Sequence, residues 1–307
     1  MRPSTFQAAR DSGFNCIRLG IEYNRNWHAD IDFGITDRLP MIDSAVNLAA
    51  PYGLYICIDY HECGSYNFSH LVDFWRQVAP RYKDRMHVLY ELANEPVAWA
   101  PENYSNQNIA DQKTVYDTIR KYAPNTMIIL LSYATANNNM LSTTNKLTGI
   151  DWTNAAVGGH PYHVYDANGI TSVKTKYPYI STEFANPGSG DWNIMCALQG
   201  DDWGWVKWHE ANKTSWFMWN SSVGALLANA RSRGYMWTPD NFANPVAIER
   251  SLRPVRGKAA ILAAKITGRM FDIKGCPIPE RQLSTAGIKV RIMQAHSSAI
   301  GQLVVIR

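Results

Sequence analysis

Seven short apolar, β-forming runs alternate with amphipathic helical stretches, no glycine-rich phosphate loop follows any of those runs, and no linker or low-complexity tract divides the 307 residues. These observations predict an α/β chain folded as a parallel (β/α)8 barrel of the TIM type rather than as an open sheet. Such a barrel occupies roughly 250 residues as one unit. Residues 1–275 are therefore expected to form it, with residues 276–307 a β-rich tail.

The chain opens on a helix, Pro3 to Asp11. Phe14 to Leu19 is the first strand candidate, an apolar run interrupted by Arg18, and Asp37 to Ala50 follows as an amphipathic helix. Leu54 to Tyr60, Val88 to Ala93 and Met127 to Leu131 have the near-continuous apolar character of strands buried on both faces. The helical stretches Phe68 to Tyr82 and Asn108 to Ala123 separate them. Ala156 to Gly159, Tyr179 to Ser181 and Ser215 to Met218 complete the strands, with Trp203 to Asn212 helical before the last. Arg256 to Arg269, rich in Ala, Ile and Leu, reads as a final helix.

Seven strands are one short of the eight in a closed barrel, and the opening helix stands where a helix normally follows strand one. The first strand is thus absent from its usual N-terminal place. Two β-like runs in the tail, Ile288 to Met293 and Gln302 to Ile306, leave two arrangements open. One run fills the first-strand slot, in effect a circular permutation, or the tail is a surface hairpin on an incomplete or recut barrel.

The net charge of +4 comes from scattered lysines and arginines, which argues against nucleic acid as a partner. No apolar stretch approaches the roughly 20 residues of a membrane helix. The start, Met1-Arg-Pro-Ser-Thr, enters a helical pattern without the apolar core of a signal peptide. Eleven tryptophans and sixteen tyrosines are more than core packing usually recruits, and sugar rings stack their C–H faces on such side chains. The five cysteines show no metal or redox spacing, and Cys16 and Cys57 read as small buried hydrophobes.

Chemistry-bearing residues collect at one end of the strands. Glu95, in Asn94-Glu95-Pro96, closes the Val88 run, and Glu183 follows the Tyr179 run. Two carboxylates meeting at a strand-end cleft are the minimum machinery for cleaving a glycosidic bond. Arg18, His61, His160 with Tyr162, and Trp219 fall at corresponding positions. A structural ion pair is the plain reading of Arg18 alone, as a satisfied structural histidine is of His61. The coincidence of so many polar or aromatic groups at one strand end is harder to attribute to chance. Asp59, Glu62 and Glu91 read as structural partners, and one of Trp99, Trp192, Trp203, Trp205 and Trp237 is expected to form an outer sugar subsite.

With these residues in view, the sequence resembles glycoside hydrolase family 5, from about Phe6 to Trp219. The resemblance implies that Glu95 is the general acid/base and Glu183 the nucleophile, with Arg18 and Tyr162 holding Glu183. It also implies that Asn94 binds the substrate 2-hydroxyl, that His61 and His160 line the cleavage subsite, and that Trp219 stacks beneath the sugar. Thr182 stands where many relatives carry glycine, and Asn220 to Pro245 is a long excursion able to wall the cleft.

The activity implied is that of a retaining endo-β-1,4-glucanase on β-glucan, without metal or other cofactor. β-Mannanase is the near alternative, mannan then being the substrate, and a noncatalytic carbohydrate-binding barrel the alternative of another class. A secreted monomer is expected on the same ground. In a retaining mechanism Glu95 should begin neutral, with a raised pKa, and Glu183 charged.

Overall fold

Strands form where β-branched and aliphatic residues concentrate, and a computed structural model of the chain describes residues 2–11, 14–21, 35–163, 166–184, 204–219, 291–296 and 302–306. They are β1 (Cys16–Ile21), β2 (Tyr55–His61), β3 (Val88–Asn94), β4 (Met127–Tyr133), β5 (Ala155–Gly159), β6 (Tyr179–Ser181) and β7 (Ser215–Trp219). Each pairs in parallel with the next in chain order. The helices α1 (Pro3–Asp11), α2 (Ile35–Ala49), α3 (Phe68–Tyr82), α4 (Asn106–Tyr122), α5 (Met140–Thr144), α6 (Asp166–Lys174) and α7 (Gly204–Ala211) occupy the intervals.

Helix boundaries follow their caps. The Asn67 side chain accepts from the His70 amide to start α3, and Ser105 with Asn108 forms a capping box on α4. Along α3 the buried side chains Leu71, Phe74, Trp75, Val78, Ala79 and Tyr82 recur at helical spacing and turn one stripe onto the sheet.

Strand residues alternate between two apolar environments. Ile17, Leu19, Ile56, Ile58, Tyr90 and Leu92 join the main core, which also contains Phe6, Phe74, Trp75 and Val115 from the helices. The alternate positions Cys16, Cys57, Leu89, Ile129, Ala156, Ile180 and Phe217 form a second, smaller cluster within the ring of strands. Cys16 and Cys57 are both fully buried there. Two residues further along β1, β2 and β3 come Arg18, Asp59 and Glu91, fully buried as well. The interior therefore passes from an apolar floor to a charged layer as the strands approach their C-terminal ends.

The tail contains two strands, β8 (Arg291–His296) and β9 (Gln302–Ile306). β8 pairs in parallel with β7, Trp216 opposite Arg291, and with β1, Cys16 opposite Ile292. It thus sits in the slot between the last and first strands of the run, and β9 turns back antiparallel along it. Of the two expected arrangements, the pairings match the one in which a tail strand stands in the seam, with β9 antiparallel to it. The described strand is Arg291–His296, and the expected start at Ile288 lies outside the described residues. The expected helix Arg256 to Arg269 and the excursion Asn220 to Pro245 lie outside the described residues. Among the described residues no helix is long and apolar enough to cross a membrane.

Candidate active site

Backbone irregularities at the strand ends aim the polar side chains. Glu95 follows β3 at φ 36, in the left-handed region that bulky residues rarely enter. Its carbonyl accepts from the Gly64 amide at 2.7 Å, while Asn94 Nδ2 donates to the Glu62 carbonyl at 2.9 Å. The loop after β2 therefore holds the end of β3. In β4 the pairing register breaks between Leu130 and Tyr133, with Leu131 at φ 72 and Ser132 at φ 31. The kink leaves the Leu131 peptide groups without ladder partners. Gln112 accepts from its amide at 3.1 Å and the Tyr104 hydroxyl donates to its carbonyl. Ser132 Oγ then reaches Glu91 Oε1 at 2.7 Å. Gly158 on β5 makes room: a Cβ there would stand 2.6 Å from Ser132 Oγ.

Arg18 is the hub of the charged layer. Its Nη2 lies 2.8 Å from Asp59 Oδ2 and 2.6 Å from Asn94 Oδ1, its Nε donates to Glu91, and its Nη1 reaches Glu183 Oε2 at 3.2 Å. Burial disfavours the charge, but Asp59, Glu91 and Glu183 together push the guanidinium pKa up. Isolated, such a cation would be costly to bury, and three surrounding carboxylates answer that cost. Asp59 and Glu91, expected to be structural partners, serve this guanidinium directly. The other oxygen of Glu183 accepts from the Tyr162 hydroxyl. Glu183 thus lies between an arginine and a tyrosine.

Glu95 has other company. Its Oε1 is 2.6 Å from His160 Nδ1, and its Oε2 accepts from Cys63 Sγ at 3.0 Å. His160 is completely buried, with its Nε2 3.1 Å from Thr182 Oγ1. Burial alone would raise the Glu95 pKa. The hydrogen bond and charge of His160, the Cys63 thiol and the His61 charge outweigh it and bring the carboxyl below its ordinary range. The expectation of a raised Glu95 pKa is therefore corrected for the free site. His160 moves the opposite way: burial works against its cationic form, but Glu183 and Glu95 raise its pKa. His61 is likewise raised against burial by Asp59, 2.6 Å from its Nδ1.

Donor atoms of Glu95, His160 and Glu183 all lie within 4.8 Å of one another. The structure thus gathers Arg18, His61, Asn94, Glu95, His160, Tyr162 and Glu183 at one barrel end. Trp219 ends β7 opposite Gln294, and its side chain lies outside the described residues. Of the candidate rim tryptophans, Trp205 belongs to the core, packed on Trp208 and His209, which corrects its placement. Trp99, four residues beyond Glu95, is 68% exposed. It sits at φ 64, and its carbonyl accepts from Thr135. Trp192, Trp203 and Trp237 lie outside the described residues. Sequence reasoning missed Cys63 and Ser132. A cysteine two residues past a strand-end histidine was the available signal for the first, and nothing local marked the second.

Comparison with known proteins fits this geometry. A model of the cellulase family, glycosyl hydrolase family 5, matches residues 2–224. Endoglucanase E-5 of Thermobifida fusca is 25% identical over 224 residues, 66% of this chain and 46% of that protein. Cellulase CelDZ1 of a Thermoanaerobacterium species is 23% identical, covering 91% of this chain and 73% of its own. Against Thermobifida endoglucanase, the first of these, the chain spans about half the relative's length. Among solved structures, the Saccharophagus degradans β-glucanase SdGluc5_26A superposes with a TM-score of 0.59 at 22% identity, over 71% of this chain and 73% of that one. XacCel5A in complex with cellopentaose gives 0.54 at 20% identity, over 71% and 79%. Both share the barrel fold. With most of its length matched by the family model, the chain belongs to glycosyl hydrolase family 5.

Proposed function

We propose that the chain is a retaining endo-β-1,4-glucanase acting by double displacement on Glu183 and Glu95. The observation that carries this reading is the proximity of the two carboxyl groups, one oxygen of Glu95 lying within 4.8 Å of one oxygen of Glu183. Retaining glycosidases hold their carboxyl groups about 5–5.5 Å apart, whereas inverting ones leave about 6.5–9.5 Å for a water. The tight group of donor atoms could suggest a cation site. Yet His160 Nδ1 is bonded to Glu95 and Glu183 to Arg18 and Tyr162, so these donors face one another rather than a common ion.

Glu183 attacks the anomeric carbon as the bond to the leaving oxygen breaks, and Glu95 protonates that oxygen. In the free site the proton of the His160–Glu95 pair rests toward His160. Bound sugar excludes water from Glu95 and draws the proton across the 2.6 Å contact. Formation of the glycosyl ester removes the charge of Glu183, which is the foremost influence holding the His160 pKa up. The pair then releases its proton with the leaving group more readily, and Glu95 is left as the base that takes a proton from the attacking water. Arg18 and Tyr162 keep the Glu183 oxygens aligned throughout, while Asn94, held by Arg18 and the Glu62 carbonyl, offers its second Nδ2 hydrogen to the 2-hydroxyl.

Trp99, four residues beyond Glu95 in the chain and 68% exposed, is the proposed platform for a sugar ring of the leaving group. A polymeric substrate too large to enter a cell accords with a secreted enzyme. Initial rates on carboxymethyl cellulose, mixed-linkage glucan, mannan and xylan test the assignment. Faster turnover of mannan than of any β-glucan would transfer it to β-mannanase, and no turnover on any of them would refute the enzyme reading. The first product should be the β-anomer by NMR, and chelator should leave the rate unchanged. Glu95→Gln should abolish turnover and keep oligosaccharide affinity.

A further inference from the structure

Three contacts join the segment after β2 to the end of β3. Two use backbone groups of that segment, the Glu62 carbonyl accepting from Asn94 Nδ2 and the Gly64 amide donating to the Glu95 carbonyl. The third is Cys63 Sγ at 3.0 Å from Glu95 Oε2, on the reacting carboxyl itself. His160, from the end of β5, holds the other oxygen at 2.6 Å. The carboxyl plane is thus fixed from both sides on a residue whose φ of 36 already needs external support.

We propose that Cys63 is a positioning residue of the reaction, its thiol holding Glu95 Oε2 so that the carboxyl faces the glycosidic oxygen. The inference rests on Glu95 being the acid/base.

A thiol suits this task because it is a weak donor. A hydroxyl would bind the charged carboxylate more tightly and oppose its protonation, whereas no donor would leave Oε2 unsupported. Burial, then the charges of Glu95, Glu183 and Glu62, push the thiol pKa well up, so Cys63 remains an S–H donor and does not become a thiolate that would repel Glu95. The groups facing Glu95 are His160, Cys63, His61 and, within 4.8 Å, Glu183. Glu183 and Arg18 face His160. The upper titration belongs to the Glu95–His160 pair as a whole.

The test is kcat/KM against pH on an aryl β-cellobioside for the native protein, Cys63→Ala and Cys63→Ser, with an NMR titration of the His160 imidazole in each. Loss of the donor should move the alkaline limb and the pair's titration upward by roughly half a unit, and the stronger hydroxyl should move both downward. In Cys63→Ala, kcat should fall roughly 10-fold with KM little changed. Superimposable profiles, or shifts of one sign in both variants, would overturn the proposal and leave Cys63 a space-filling residue. Should Cys63→Ala fail to fold, Cys63→Ser against the native protein still decides the direction. If the native protein hydrolyses nothing, the glycosidase reading fails, while the His160 titration still reports whether Cys63 acts on the pair.

Discussion

Glu95 and Glu183 stand at the same barrel end, within 4.8 Å of each other, yet their neighbours differ in kind. Glu183 is held by Arg18 and Tyr162, donors that keep their protons at neutral pH. Glu95 is held by an imidazole, which readily gives and takes a proton, and by a weak thiol donor. The contrast teaches that two chemically identical side chains acquire separate roles from what can exchange protons with them. Under the proposed mechanism the attacking group has fixed partners, and the proton carrier has an exchanging one.

Swapping the two losses tests this difference most severely. Glu95→Ala and Glu183→Ala should each lower turnover of polymer by about 10⁴-fold or more. With an activated aryl glycoside and added azide the products should diverge. Azide replacing Glu183 enters from the α face and gives the α-glycosyl azide, whereas azide meeting the glycosyl enzyme of Glu95→Ala gives the β-azide. The same anomer from both variants would dissolve the distinction.

Removing the fixed partner should come next in effect. Arg18→Met leaves Asp59, Glu91 and Glu183 gathered without their cation. A loss of about 3–5 kcal/mol in denaturant unfolding is expected, together with a kcat reduction of roughly 100-fold. Stability equal to that of the native protein would mean that the guanidinium does not organise the layer.

Removing the exchanging partner should act mainly through pH. His160 has a raised pKa, so its stabilising share is complete below the ordinary imidazole value and fades as pH rises through the raised one. Glu95 has a lowered pKa, so its share is complete above the ordinary carboxylate value and fades as pH falls through the lowered one. The melting-temperature gap between native protein and His160→Gln should therefore be widest from about pH 4.3 to about 6.5. A gap that grows steadily on either side would contradict the pairing.

The smallest effect concerns where the leaving group lies. Trp99→Ala should lower kcat/KM on cello-oligosaccharides by about 10-fold, the order of one lost stacking contact. Cleavage of an aryl cellobioside, whose leaving group is no sugar, should hardly change. Equal losses on both substrates would remove Trp99 from the leaving-group side.

Much of this arrangement is legible in the sequence because it rests on local pattern. α3 is bounded as its apolar spacing predicts, and each predicted strand of the run lies within two residues of its observed limits. The candidate site residues come together because a parallel barrel sends strand ends to one rim. The short α5, five residues long, leaves too few positions for a period to show. The direction of the Glu95 pKa depends on a contact with His160, 65 residues away, and no local feature specifies it. Ser132 reaches Glu91 through a kink in a run that looks uniformly apolar, with the compensating groups coming from α4 and the loop before it.

β8 brings Ile292 beside Cys16, almost the whole length of the chain away. During synthesis β1 and β7 would both be made before their shared neighbour, each with an open row of amides and carbonyls. The ring shuts only when β8 arrives, through a closure of very high sequence separation that should be slow. Until then the growing chain has two adhesive edges, so the seam rather than the catalytic rim is where crowding, chaperones and premature truncation would decide how much protein reaches its finished form.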